Sequence, residues 1–212
     1  MSTKNKYKIL IIDYGVGNFN SVANALDFLG YQYSVSNKAE DIAKNDVYIL
    51  PGVGAFAEAM KNLGSLKMIE PLKKEVIENK KPIFGICLGM QVLANSSEEN
   101  GFHDGLGFIE GRVLKFEENK NIKIPHVGWN TIQVKCKSPL FDNVSEKPMF
   151  YFDHSYYFKC DNKYVSSIAN YGVDFIASVQ KENIYGTQFH PEKSQNDGLR
   201  VFRSFFDYVE AL

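Results

Sequence analysis

The sequence predicts an α/β fold: a mostly parallel, doubly wound central sheet flanked by helices, with additional antiparallel strands in the C-terminal half. Three observations carry this. Through the first half, β-branched apolar runs alternate with segments whose apolar residues recur at helical spacing. After about residue 107 the texture changes to shorter strand-like runs separated by polar turns. The chain has 212 residues, 44% of them hydrophobic, enough for one well-filled core and short for two ordinary domains.

Tyr7 to Asp13 is an apolar run ending in an acid, with glycines just beyond it, and reads as a strand. Asn18 to Leu29 keeps Phe19, Val22, Leu26 and Leu29 at helical spacing and is closed by Gly30. Tyr31 to Ser36 reads as a strand, Val47 to Leu50 as a buried strand, Phe56 to Leu63 as a short helix, and Ile69 to Asn79 as a helix ending before Pro82. Beyond the midpoint, Gly111 to Glu117, Thr131 to Lys135, Met149 to Phe158, Tyr164 to Ala169, Phe175 to Gln180 and Ile184 to Phe189 read as strands of a meander packed onto the first half. An amphipathic helix from Gly198 to Leu212 closes it. Glu117 to Lys123 and Lys135 to Lys147 are the loosest segments, yet neither has the composition or length of an interdomain linker, so residues 1–212 are expected to form a single domain.

Twenty-four Lys and Arg against 25 Asp and Glu leave a net charge of −1, and no basic run carries interleaved aromatics, so nucleic-acid binding is not expected. The N-terminal apolar run Ile9 to Ile12 is cut short by Asp13, too brief for a signal or membrane segment, and a cytoplasmic protein is expected. Cys87, Cys136 and Cys160 form no C-x-x-C pair, which supports neither a disulfide framework nor a metal site.

Pro82 to Gln91 is an apolar strand running into Gly85-Ile86-Cys87-Leu88-Gly89 and then a helix, the nucleophile-elbow pattern with cysteine in the serine position. The helix starting at Leu88 points its N–H groups at the sulfur and favours the thiolate. A thiolate nucleophile needs a proton shuttle. Of His103, His126, His154 and His190, the last ends an apolar strand in His190-Pro191-Glu192, where Glu192 can turn back to hold the imidazole in one tautomer. His103, in a polar stretch, is expected in solvent. One oxyanion donor would be the Leu88 N–H; a second could come from Pro51-Gly52-Val53-Gly54-Ala55, which otherwise is an ordinary strand-to-helix turn. The phosphate-loop pattern and the third glycine of a dinucleotide fingerprint are missing, so a Rossmann cofactor is not expected.

Together with Asp13-Tyr14-Gly15-Val16-Gly17-Asn18-Phe19, His126-Val127-Gly128-Trp129-Asn130 and His154-Ser155-Tyr156-Tyr157, the elbow and the His-Pro-Glu segment make this chain resemble the class I (triad) glutamine amidotransferases. Among them it is most similar to the glutaminase subunits of imidazole glycerol phosphate synthase, over nearly its whole length. The resemblance implies a flavodoxin-like fold and hydrolysis of L-glutamine to glutamate and ammonia. In that scheme Cys87 attacks, His190 relays the proton, Glu192 orients His190, and Val53 with Leu88 forms the oxyanion hole. It places the bound glutamine near Gly52, Gly54, Gln91, Ser155 and Tyr156. Ammonia would pass to a separate (β/α)8-barrel cyclase subunit (HisF-type) in a heterodimer, with Asn18, Trp129, Tyr151 and Lys193 near the interface and no metal or organic cofactor. For Trp129 the alternative is core packing.

The family pattern usually has an apolar residue where this chain has Asp153; this is either a local substitution or a sign of a different partner, a synthase that modifies sugars for surface glycans. A cysteine peptidase of similar fold is disfavoured by Gln91, Ser155 and Tyr156, and a non-catalytic binding subunit by the intact Cys87, His190 and Glu192.

Overall fold

The computed structural model describes residues 6–117 and 123–212. Its first half runs through β1 (Ile9–Ile12), α1 (Phe19–Leu29), β2 (Tyr33–Ser36), α2 (Ala39–Ile42), β3 (Val47–Gly52), α3 (Phe56–Ser65), α4 (Ile69–Lys73), β4 (Ile83–Cys87) and α5 (Leu88–Gln91). The second half adds β5 (Ser96–Ser97), β6 (His103–Asp104), β7 (Gly111–Lys115), β8 (His126–Val134), β9 (Met149–His154), β10 (Tyr156–Cys160), β11 (Val165–Asn170), β12 (Asp174–Lys181), β13 (Ile184–Thr187) and α6 (Gln195–Glu210).

Among the described residues, nine strands form one sheet in the order β2-β1-β3-β4-β13-β12-β11-β8-β9. The five from β2 to β13 are parallel, and their order is that of flavodoxin-like folds. The remainder pair antiparallel. A smaller sheet has the order β10-β7-β5-β6. Because side chains alternate across a strand, Ile9, Ile11, Val47, Ile49, Phe84 and Ile86 meet one face, packed by α1 and by Val201, Phe202, Phe205 and Phe206 of α6. Leu10, Ile12, Tyr48, Leu50 and Ile83 meet the other, against Phe56, Ala59 and Leu63 of α3. Each fully buried Phe or Leu contributes about 2 to 3 kcal/mol by removal from water. Asn18 caps α1 by accepting the Ser21 N–H at 3.4 Å, and Gly30 ends it in the left-handed region. No helix among the described residues is long and apolar enough to cross a membrane.

Several elements differ from the sequence reading. Only part of the meander packs onto the first half, through Val113 of β7 and Phe158 of β10 in the core that holds Leu10 and Leu50. The rest joins the central sheet: β13 inserts beside β4, and the antiparallel strands extend the same sheet. β8 begins at His126 rather than at Thr131, since Gly128 at φ +137 masks the alternation while β9 supplies a ladder from His126–His154 to Thr131–Met149. The run Met149 to Phe158 divides at Ser155: β9 stays in the large sheet and β10 pairs with β7. The helix from Ile69 widens after Lys73 into a π turn over Lys74–Glu78. Lys135 to Lys147, expected to be loose, buries Leu140 and Phe141 and is tied to α6 by Ser145, whose N–H donates to Asp197 at 3.1 Å. Of Glu117 to Lys123, residues 118–122 lie outside the described residues.

Candidate active site

Cys87 is the last residue of β4 and sits at φ 54, ψ −109, a strained conformation for a residue with a side chain. The flanking glycines make that turn possible by steric necessity. A Cβ on Gly89 would run into the Leu50 carbonyl, and one on Gly85 would lie 2.6 Å from the Gly89 oxygen. Strand and helix thus touch backbone to backbone, and the sulfur is presented at the carboxyl edge of the sheet, where open α/β folds place ligands. α5 is a single turn and the Cys87 side chain makes no cap hydrogen bond to it, so the sulfur does not gain the summed dipole of a long helix that the sequence reading expected.

His190 reaches this edge because its loop is fastened to β9. Its N–H donates to the Tyr151 carbonyl at 2.9 Å, and the Tyr151 N–H donates to Ser194 Oγ at 3.0 Å. Its Nδ1–H donates to Glu192 Oε1 at 2.7 Å, both side chains being buried. Burial works to lower the His190 pKa, but the charge and hydrogen bond of Cys87, together with Glu192, outweigh it and raise the value to about 10. The imidazole therefore carries its second proton at neutral pH, beside the sulfur.

Cys87 and His190 open onto a cavity of about 270 Å³ whose wall also includes Val53, Gly54, Leu88, Gln91, Ser155 and Tyr156. Gly52 is the register partner of Cys87 in the β3–β4 ladder. Val53 is 40% exposed, and Gly54 holds φ +101 with open space where a Cβ would be, so the backbone is uncrowded on the Gly54 side of Val53, while Gly52 is packed against Tyr14 and Leu88. Gln91 donates its Nε2 hydrogens to the Tyr156 carbonyl and to Gln188 Oε1, both at 3.0 Å, leaving its own oxygen as the group free to meet a ligand.

Two residues at the site, one lining the cavity and one buried behind the sulfur, escaped the sequence reading. Glu99 lines the cavity and accepts the Phe56 N–H at 2.7 Å. Gln188, fully buried, donates to Cys87 Sγ at 3.7 Å. Glu99 sits in a polar loop without a motif, whereas Gln188 stood next to the motif, two residues before His190. His126 and His154 face each other across β8 and β9 with Nδ1 of the first 3.0 Å from Nε2 of the second. Desolvation lowers them to about 4 and about 3, so both are neutral. His103, expected in solvent, is half-buried in β6, with its Nε2 enclosed and without a hydrogen-bond partner.

Of the expected interface residues, Trp129 is 44% exposed and packs edge-on against Tyr151, which excludes the core alternative. The Lys193 ammonium lies over the Tyr151 ring, 5.5 Å from its centroid. Asn18 is exposed at the start of α1. Asp153 is exposed at the mouth of the cavity, and its carbonyl oxygen lies 3.8 Å from Cys87 Sγ.

The family model described as glutamine amidotransferase class-I matches residues 10–208. Over 197 residues the chain is 51% identical to a protein of Campylobacter jejuni named imidazole glycerol phosphate synthase subunit HisH 1, covering 93% of this chain and 98% of that one. The chain belongs to the class-I glutamine amidotransferases, in the HisH family. HisH relatives span bacteria and archaea. A Vibrio vulnificus protein named subunit HisH 2 is 48% identical, covering 96% and 95% of the two chains, and a Methanococcus maripaludis one, also HisH 2, is 46% identical, covering 93% and 98%. The amidotransferase fold recurs in the solved structure of PurLQS from Thermotoga maritima, with a TM-score of 0.73 at 22% identity, covering 97% of this chain and all of that one. A structure titled glutamine amidotransferase gives 0.74 at 20% identity, covering 96% and 99%.

Proposed function

We propose that the protein is the glutaminase subunit of an imidazole glycerol phosphate synthase, acting in histidine biosynthesis as one glutamine amidotransferase domain. It hydrolyses L-glutamine to glutamate and ammonia. The reading rests on membership of the HisH family and, above all, on the convergence of Cys87 with a protonated His190 in one cavity.

The Cys87 thiolate adds to the side-chain amide carbon, and negative charge moves to the carbonyl oxygen. The Leu88 N–H meets that oxygen, and a second N–H arrives when the peptide at Val53 turns inward; a missing donor of this kind costs roughly 3 to 4 kcal/mol of transition-state stabilisation. His190 gives its proton to the departing nitrogen, which leaves as ammonia, and the resulting thioester is open to water. Now neutral, His190 takes a proton from that water, and collapse of the adduct returns the sulfur and frees glutamate. Glu192 keeps the imidazole turned toward the sulfur throughout. The free oxygen of Gln91 and the Glu99 carboxylate make one side of the cavity an acceptor surface, which suits the α-ammonium group of the amino acid. Gly52, Gly54, Ser155 and Tyr156 complete the pocket.

The partner is a (β/α)8-barrel cyclase, docked in a heterodimer over the face carrying Asn18, Trp129, Tyr151 and Lys193, and ammonia crosses to it without meeting bulk water. As a biosynthetic subunit the protein works in the cytoplasm. A second reading, an HisH-like paralogue serving a synthase that aminates sugars, is favoured by the solvent-facing Asp153 carboxylate at the cavity mouth, which asks a partner for a cation. Glutamate formation measured with the cyclase and its ribonucleotide substrate tests the first reading: strong stimulation supports it, and none with that pair but stimulation by the sugar-modifying synthase supports the second.

A further inference from the structure

Gln188 has no step in the mechanism above, yet it is fully buried and its amide touches the sulfur. Its backbone is fixed in the sheet by its N–H to the Ala177 carbonyl at 2.8 Å. Its side-chain Nε2 donates to Cys87 Sγ at 3.7 Å, and its Oε1 accepts from Gln91 Nε2 at 3.0 Å. Only this orientation works. Turned over, the amide would set donor against donor at Gln91 and an oxygen against the sulfur.

Gln91 cannot relax to accommodate such a flip, because its other Nε2 hydrogen is committed to the Tyr156 carbonyl at 3.0 Å. That carbonyl also accepts from His154 Nδ1 at 2.7 Å, and His154 Nε2 accepts from His126 Nδ1 at 3.0 Å. Asn130 Nδ2, 2.8 Å from the Asn170 carbonyl, lies 3.4 Å from His126 Nε2. Both imidazoles have one donor and one acceptor, so the hydrogen bonds run in a single direction from Asn130 on β8 to Tyr156, where the chain meets Gln91.

We propose that Gln188 is a positioning residue for the nucleophile: its N–H holds the sulfur anion, and Gln91, anchored at the end of the Asn130–His126–His154 chain, keeps that N–H turned toward it. The inference rests on the reading of Cys87 as nucleophile and adds a donor that acts on the thiolate before substrate is attacked. A hydrogen bond to a charged acceptor is roughly twice as strong as one to a neutral acceptor, so the contact favours the anion over the thiol. The other titratable groups around the sulfur are His190 and Glu192 from the loop after β13, His154 and Asp153 from β9, Tyr14 behind β3, and Glu99 across the cavity. All stay in place when Gln188 alone is changed.

The test uses the full chain with Gln188→Leu, Gln188→Met and Gln188→Glu. Two readouts are taken: the rate of Cys87 alkylation by iodoacetamide against pH, and kcat and KM for glutamine with the cyclase bound. In the Leu and Met variants the alkylation midpoint should rise by about one pH unit, and kcat should fall roughly tenfold, more than KM changes. The Glu variant separates positioning from packing. Buried beside a sulfur anion, its carboxyl holds a proton, so it still accepts from Gln91 and donates to Cys87, and its midpoint should stay near the parental one. Unchanged midpoints in the Leu and Met variants, or a midpoint in the Glu variant raised as far as theirs, would overturn the proposal. Alkylation needs no turnover, so a parent protein inert toward glutamine would defeat the glutaminase reading while the midpoint still judged Gln188.

Discussion

Buried histidines of one fold are driven in opposite directions by their surroundings, and the consequences are measurable. His190 is buried beside Cys87 and Glu192 and is raised to about 10, while His126 and His154 are buried among aromatic rings and each other and are lowered to about 4 and about 3. Unfolded, all three titrate near 6.5. Below that pH the unfolded chain takes up protons that the folded His126 and His154 refuse, so their contribution to stability is present above about pH 6.5 and lost as pH falls toward their folded values. His190 behaves inversely: its contribution is full below about pH 6.5 and is lost as pH rises toward 10. Denaturant titrations from pH 4 to 6.5 should therefore show a slope that falls by about 1.4 kcal/mol per pH unit in His126→Gln relative to the parent. Equal slopes would mean that His126 is not held neutral. At the sulfur itself, Cys87→Ala should reduce glutamate release to background while the variant still binds the barrel by calorimetry. Turnover at the parental rate would remove Cys87 from the mechanism.

At the scale of elements, the elbow is the part most strictly specified. A methyl group on Gly89 would displace β3 or the start of α5, because the atom it meets is the backbone oxygen of Leu50 rather than a flexible side chain. Gly89→Ala should cost about 2 to 4 kcal/mol, read as a lower urea midpoint with an unchanged slope. That strictness also explains what could be read in advance. The elbow and the His190–Glu192 pair are local, each contained within five residues, and β1, α1, β3 and β4 carry uninterrupted apolar patterns. Glu99 and Gln188 acquire meaning only once β13 lies beside β4 and the β5–β6 loop folds over α3. The break at Ser155 was hidden for a related reason: the two halves of one apolar run join different sheets, and periodicity records alternation, not neighbours. The single turn of α5 was equally silent, because its sequence continues in apolar residues that turn away at Val92 to meet the smaller sheet.

For the molecule as a whole, the cavity opens onto a surface unusually rich in exposed apolar side chains. Val53, Val127 and Trp129 are 40%, 53% and 44% exposed there, with Met149 and Tyr151 alongside. A net charge of −1 gives no long-range pull toward a partner, so the proposed docking relies on short-range contacts of this patch and of Asp153 and Lys193 within it. Trp129, edge-on against Tyr151 and partly bare, is the anchor that the proposed docking would use. Trp129→Ala should weaken barrel binding by about 2 kcal/mol, some thirtyfold in Kd by calorimetry; an unchanged Kd would move the interface elsewhere. The central claim is that the Cys87 sulfur attacks the side-chain carbon of glutamine inside this cavity. A diazoketone analogue of glutamine, which alkylates the attacking atom, puts it to the test by peptide mass spectrometry. The account predicts one adduct per chain, on Cys87, blocked by excess glutamine and absent from Cys136 and Cys160. An adduct on another residue with Cys87 unmodified, or labelling of Cys87 that glutamine does not block, would contradict it.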